Sequence, residues 1–199
     1  MDMNGMKEEV AKMAGTVYSM LGLIEKGFME NKPEPLAAAM KEEKAINGME
    51  KELTGNILVL SKASGKCRGE LAVLAGVIEM LERMGDEALN LVERIEIKVE
   101  ERLLFSDLGV AQFNETYDAM KRSVEMMVEF LKSRKPALKE RVIDNGFHVK
   151  DLVERYRREH MDRFVKGLCT PMSANMYFDM LDFTGNLARH SSNIVKLFE

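Results

Sequence analysis

Apolar positions recur along most of this chain at steps of three and four. In the first segment Met6, Val10, Met13, Val17, Met20 and Ile24 form one stripe, the spacing of an amphipathic α-helix. The stretch NKPEP, residues 31–35, interrupts it. A second helix is expected from about Glu34 to Ala63, with Ile46, Met49, Leu53, Ile57 and Leu60 on its inner stripe. SerGlyLys at 64–66 marks the next turn. The third segment has a long seam of Leu74, Ile78, Leu81, Gly85, Ala88, Val92, Ile95 and Val99, a heptad rhythm that packs helices nearly antiparallel. A fourth helix opens at Ser106-Asp107, a good capping pair, and carries Val110, Phe113, Tyr117, Met120, Val124, Met127 and Leu131. The fifth opens at Pro136, which suits a first helical position. It carries Leu138, Val142, Val149, Leu152 and Tyr156 and ends near Gly167. Thr170-Pro171 opens the sixth, with Met176, Met180, Phe183, Leu187, His190, Ile194 and Leu197 on its stripe.

No segment alternates as a strand would. The layout also repeats at an offset of roughly one hundred residues. Each half has a long helix, a Lys-Pro break (Lys32-Pro33 and Lys135-Pro136), a second helix, a short turn with a cysteine, and a third helix. Helices of this length cannot bury their seams alone. The expected fold is therefore all-α: six long helices in two pseudo-repeated antiparallel three-helix bundles, residues 1–104 and 105–199.

Composition agrees with that architecture. The 199 residues are 46% hydrophobic and 31% charged, with 17 Met, 4 Pro and no Trp, as expected of long helices around Met-filled cores. The net charge of −4 and the scattered Lys and Arg give no nucleic-acid surface. No apolar run of membrane-spanning length exists. The N-terminal MDMNGMKEEV is not a signal peptide, so the expected location is cytoplasmic. Cys67 and Cys169 form no CxxC and read as reduced, structural thiols, with a conditional disulfide between them left open.

One stretch works against its own helix. In LERMGDEALN, residues 81–90, Glu82 and Asp86 stand four apart on one face, where like charges repel. Gly85 lies between them, and an interior glycine costs a helix about 1 kcal/mol relative to alanine. Both acids lie at the edge of the Leu81–Gly85–Ala88 seam, and Glu43 and Asn47 lie similarly beside Ile46 on the second helix. If the helices meet at Gly85, these groups converge, with Glu50 near by. Carboxylate and amide oxygens suit hard cations or iron, and a cation would relieve the repulsion. The bland alternative is a solvated acidic patch paired to nearby Lys or Arg. Enzyme chemistry has weaker support. A di-iron bundle needs Glu-x-x-His, but the residues three before His148, His160 and His190 are Asn145, Arg157 and Leu187. No phosphate loop or nucleophile elbow is present.

These motifs resemble the PhoU domain family. Its third helix typically carries Glu-Arg-Ile-Gly-Asp, a small residue and Asn-Ile, matched here by Glu82, Arg83, Met84, Gly85, Asp86, Ala88, Asn90 and Leu91. The family's second-helix motif is matched by Glu43, Ile46, Asn47 and Glu50. In the second half, FSDLGVAQF (105–113), Arg157-x-x-His160-x-x-Arg163 and Gly167-x-Cys169 are similar to the PhoU-like cytoplasmic domain of sodium/phosphate cotransporters. The acidic motif departs there. LARHSSNI (187–194) aligns with it, and its acid positions fall on Gly185 and Arg189, opposite Asp144 and His148. Arg189 would then serve as the counter-charge to Asp144, with no second metal site.

The resemblance implies a cytoplasmic adaptor rather than an enzyme. Such a protein regulates phosphate uptake or signalling by contact with a phosphate transporter or sensor kinase, and reaches a membrane only through that partner. It also implies iron or zinc at Glu43, Asn47, Glu82 and Asp86. A homodimer is left open. The alternative is an iron- or zinc-binding protein whose metal load is itself the function, as storage or sensing. His190, on the apolar seam, reads as a core histidine. His160, flanked by Glu159 and Asp162, reads as half-exposed and bonded to a carboxylate.

Overall fold

The computed structural model describes residues 1–63 and 68–198. Six helices follow in order: α1 (Met3–Glu30), α2 (Pro33–Ala63), α3 (Arg68–Glu100), α4 (Asp107–Ser133), α5 (Pro136–Val165) and α6 (Pro171–Lys196). The turn at 64–66 and Cys67 lie outside the described residues. Side-chain caps start three of the helices. Asp2 accepts from the Gly5 amide at 2.8 Å, Ser106 from Gly109 at 3.1 Å and Thr170 from Ser173 at 3.2 Å, each satisfying a donor that the first turn leaves free. The break after α1 is shorter than NKPEP suggests. Asn31 closes α1 in the left-handed conformation (φ 51°), and α2 begins at Pro33 with Pro35 in its first turn, where a missing N–H costs nothing.

Helices α1, α2 and α3 pack on one another, as do α4, α5 and α6, and the two triplets meet through α1 against α4 and α3 against α6. The tyrosine of α4 ties that seam: Tyr117 Oη donates to the Leu21 carbonyl of α1 at 2.8 Å. Met6, Met13, Met20, Met84, Met120, Met127 and Met180 are fully buried in a core continuous across both triplets. Helices α2 and α5 are the outer ones, and among the described residues they touch only members of their own triplet. The C-terminal half of α2 shows the consequence. Ile57 and Leu60 are only half-buried, and Leu58 and Val59 are exposed, because α2 packs on two helices of its own triplet and turns its far side to solvent. Among the described residues no helix is long and apolar enough to cross a membrane.

His160 departs from expectation. It is buried, with 4% of its surface exposed. Its ring stacks on Tyr177 at 4.2 Å between centroids and meets Phe178 edge-on. Its hydrogen-bonding neighbour is Arg163, not a carboxylate. Arg163 can only donate, so His160 Nδ1, 3.0 Å away, is the acceptor. The ring proton then sits on Nε2, which faces Cys169 Sγ at 4.0 Å. Burial, helped by the Arg163 charge, lowers the imidazole pKa to about 4 from 6.5. The unfolded chain therefore takes up a proton between about pH 6.5 and 4 that the native state refuses. Stability should fall on acidification through that window by roughly 2–3 kcal/mol. Urea unfolding of wild type and His160→Gln at pH 7 and pH 4.5 checks this: the variant should lose that part of the pH slope, and an unchanged slope would exclude His160 as its source.

Candidate functional site

The α2–α3 contact is built around Gly85. A Cβ placed there would lie 3.2 Å from Ile46 Cγ2, so the bare glycine lets α2 seat Ile46 against the α3 backbone. That close approach brings the polar edges of the two helices together. Glu43 is buried and accepts a hydrogen bond from Asn47 Nδ2, one turn along α2. Asn47 Oδ1 is itself buried without a hydrogen-bond partner. Across the groove the Glu82 carboxyl is pushed above its ordinary range, first by burial, then by the charges of Asp86 and Glu50, with Arg83 opposing them. Arg83 is engaged with Glu79 at 2.6 Å. Asp86 is exposed.

Glu50, Glu82 and Asp86 thus share one electrostatic environment, whereas Glu43 is held by Asn47. The donors are all hard oxygens, and the orphaned Asn47 Oδ1 together with the disfavoured Glu82 charge are features that a bound cation would satisfy. In the positions seen, no group of three or more His, Cys, Asp or Glu side chains among the described residues is gathered closely enough to hold a metal ion. Ligation by this set would need side-chain rearrangement.

The opposite edge of α3 carries a contact not expected from the sequence. Glu87 accepts from Asn186 of α6 at 3.0 Å, and burial raises its carboxyl pKa. Its Oε2 is buried without a partner. The signal in the sequence was weak: Glu87 stands four residues after Arg83, on the side of α3 away from α2, and only the pairing of α3 with α6 gives that side a partner.

In the second repeat Gly185 faces Val153 of α5, 3.4 Å from where a Cβ would stand. Arg189 donates to Asn186 Oδ1 at 3.1 Å rather than serving as counter-charge to Asp144. Asp144 and His148 are both exposed. His190 is buried, as its seam position implies, and burial lowers its pKa. The acidic face of repeat one therefore has a cationic counterpart.

The sequence profile of the PhoU domain matches residues 10–95. The first repeat is similar to the PhoU domain. The match contains Glu43, Asn47, Glu82, Gly85 and Asp86 and stops before the second repeat, where Gly185 and Arg189 stand at the acid positions. Among solved structures, PhoU from Pseudomonas aeruginosa superposes with a TM-score of 0.91 at 15% identity, over 98% of this chain and 93% of that one. A putative PhoU-like phosphate regulatory protein from Shewanella oneidensis MR-1 gives 0.66 at 14% identity, over 98% and 97%. A second PhoU-like protein from the same organism gives 0.67 at 14%, over 97% of both chains. At such identities the likeness establishes the fold: the PhoU architecture extends over the whole chain. No curated protein matches the sequence.

Proposed function

We propose that this protein is a PhoU-like cytoplasmic regulator of phosphate uptake or phosphate signalling. It works as an adaptor rather than an enzyme, by docking helical surfaces onto a phosphate transporter or its sensor kinase. The observation that carries the reading is the PhoU domain match over the half of the chain that bears the acidic α2–α3 face. Affinity capture from the native cell, with identification of what is held, tests it. Recovery of a transporter subunit or sensor kinase is expected, and its absence under both phosphate-poor and phosphate-rich growth would sink the reading.

In this reading Glu43, Asn47, Glu82 and Asp86 hold an iron or zinc ion, joined by Glu50. The metal would supply positive charge where Glu82 resists ionisation. Glu82→Gln with Asp86→Asn should remove bound metal, read by elemental analysis of purified protein. In metal-free protein the same pair should raise stability by a few tenths of a kcal/mol, because a repulsive pair one turn apart is gone. Unchanged metal content would show that the ion lies elsewhere. A sub-stoichiometric load that leaves folding and partner capture intact separates the adaptor from a storage or sensing protein.

A further inference from the structure

Helices α5 and α6 leave an open cleft of about 590 Å³ on the outer side of the second repeat. Two cations line it from each helix: Lys150 and Arg157 on α5, Arg189 and Lys196 on α6. Within each helix the two stand seven residues apart, so each pair shares one face and spans about 10 Å. The helices run antiparallel, with Val153 against Gly185 and Gly146 against Ser192. Arg157 therefore stands at one end of the cleft and Lys196 at the other, with Lys150 and Arg189 between. Between them lie the apolar Ile143, Val153 and Phe147. Phe147 is 61% exposed, so its ring is free to meet a partner.

The cleft holds four cations and two carboxylates. Asp182 pairs with Arg157, and Glu154 lies 3.7 Å from Lys150. Arg189 donates to a neutral amide. An anion entering here meets a positive field. One phosphate group could bridge Lys150 and Arg189, which stand at nearly the same level on the two helices, but it would leave Arg157 and Lys196 unengaged, each about two turns away. The row instead runs about 20 Å, the length of a four-turn helix. Its seven-residue period is the period at which a docked helix repeats a face. Exposed Phe147, midway along, offers an apolar contact of the helix-in-groove kind.

We propose that the α5–α6 cleft is the docking groove for an acidic amphipathic helix of a partner protein, with Glu or Asp at seven-residue spacing around a central apolar residue. The proposal rests on the adaptor reading and names the surface that does the docking. The first repeat supplies the discrimination. Where the second repeat has Gly185 and Arg189, the first presents Glu82 and Asp86, with Glu50 near by, and these acids repel the same helix and confine it to the second repeat.

The test uses the full chain and two stapled four-turn peptides. One carries Glu at seven-residue spacing around a central Leu pair, and its twin carries Lys at the same positions. Fluorescence anisotropy should show the Glu peptide binding at least about tenfold more tightly than the Lys twin. Lys150→Glu with Arg189→Glu should weaken the Glu peptide by about tenfold or more, and Phe147→Ala should weaken it too. Lys44→Glu with Lys51→Glu, a charge reversal at exposed positions seven apart on α2 and outside the cleft, should leave it unchanged. Circular dichroism melts confirm that each variant is folded. Equal binding of the two peptides, or indifference to the charge reversal, overturns the proposal. It also falls if inorganic phosphate alone shifts the Phe147 and Gly185 amide resonances while the Glu peptide does not. It falls if the charge reversal turns a dimer into a monomer in sedimentation, which would make a second copy the occupant. A peptide that fails while cell capture recovers a transporter or kinase removes the groove and leaves the adaptor. A peptide that binds while capture fails leaves the groove and removes the phosphate reading.

Discussion

Replacing Tyr177 by alanine is expected to lower the free energy of unfolding by about 3–5 kcal/mol, the range for truncating a fully buried aromatic. Three elements depend on this one ring. It stacks on His160 of α5 and meets Phe105 of the α3–α4 connection edge-on at 5.7 Å. Its hydroxyl donates to the Gly109 carbonyl in the first turn of α4 at 3.2 Å. The phenol's pKa is raised by burial, so the neutral, donating form is the one present at physiological pH. Tyr177→Phe should cost only about 1 kcal/mol, since it removes one net hydrogen bond and keeps the ring. Urea unfolding at pH 7 separates the two variants. A second readout follows from the stacking: without the ring, solvent reaches His160, and its imidazole should titrate closer to 6.5 than to about 4. An NMR titration of Tyr177→Ala in which His160 stays near its native value would show that the Tyr177 ring does not control its burial.

The second large effect is expected at Gly85. Gly85→Leu should destabilise by about 1–3 kcal/mol through overpacking, because its Cβ would already stand 3.2 Å from Ile46 Cγ2 and its branches would reach further. Gly85→Ala is nearly balanced: helix propensity favours alanine by about 1 kcal/mol, and crowding of Ile46 opposes it. The pairing with Ile46 is the decisive check. Ile46→Ala alone opens a cavity, but combined with Gly85→Leu it makes room for the new side chain, so the two costs should fall short of additivity by about 0.5–3 kcal/mol. Additive costs would mean that Gly85 and Ile46 do not form the contact between α2 and α3. The same Leu variant should separate Glu82 from Glu50, which gives metal analysis a second, independent handle on the proposed site.

Much of the fold is legible in the chain. The stripe Met6–Ile24 and the seam Leu74–Ile95 are buried as their spacing implies, and the starts at Ser106, Pro136 and Thr170 fall where their residue types predict. Gly85 and its flanking acids mark the α2–α3 contact by residue type alone, because a glycine costs least where a neighbour uses the space. His160 and Lys98 are not legible. Lys98 is buried at the end of α3, with its ammonium hydrogen-bonded to Asn31 and 4.9 Å from the Phe28 ring centroid. Its charge gives no hint of that. Charged neighbours around His160 suggest solvent, but Tyr177 and Phe178 come from another helix and cover it.

The division has a physical cause. A residue's angular place on a helix repeats every 3.6 positions and is a local property, so the chain by itself determined six helices, their inward faces and the glycine seam flanked by acids. Which outer face meets which helix depends on packing between segments about a hundred residues apart, and only the tertiary structure decided it. That packing set Glu87 against Asn186, buried His160 under Tyr177, and turned Arg189 to an amide instead of Asp144. It also left the two outer grooves with opposite charge: the α2–α3 groove acidic around Gly85, and the α5–α6 groove cationic around an exposed Phe147.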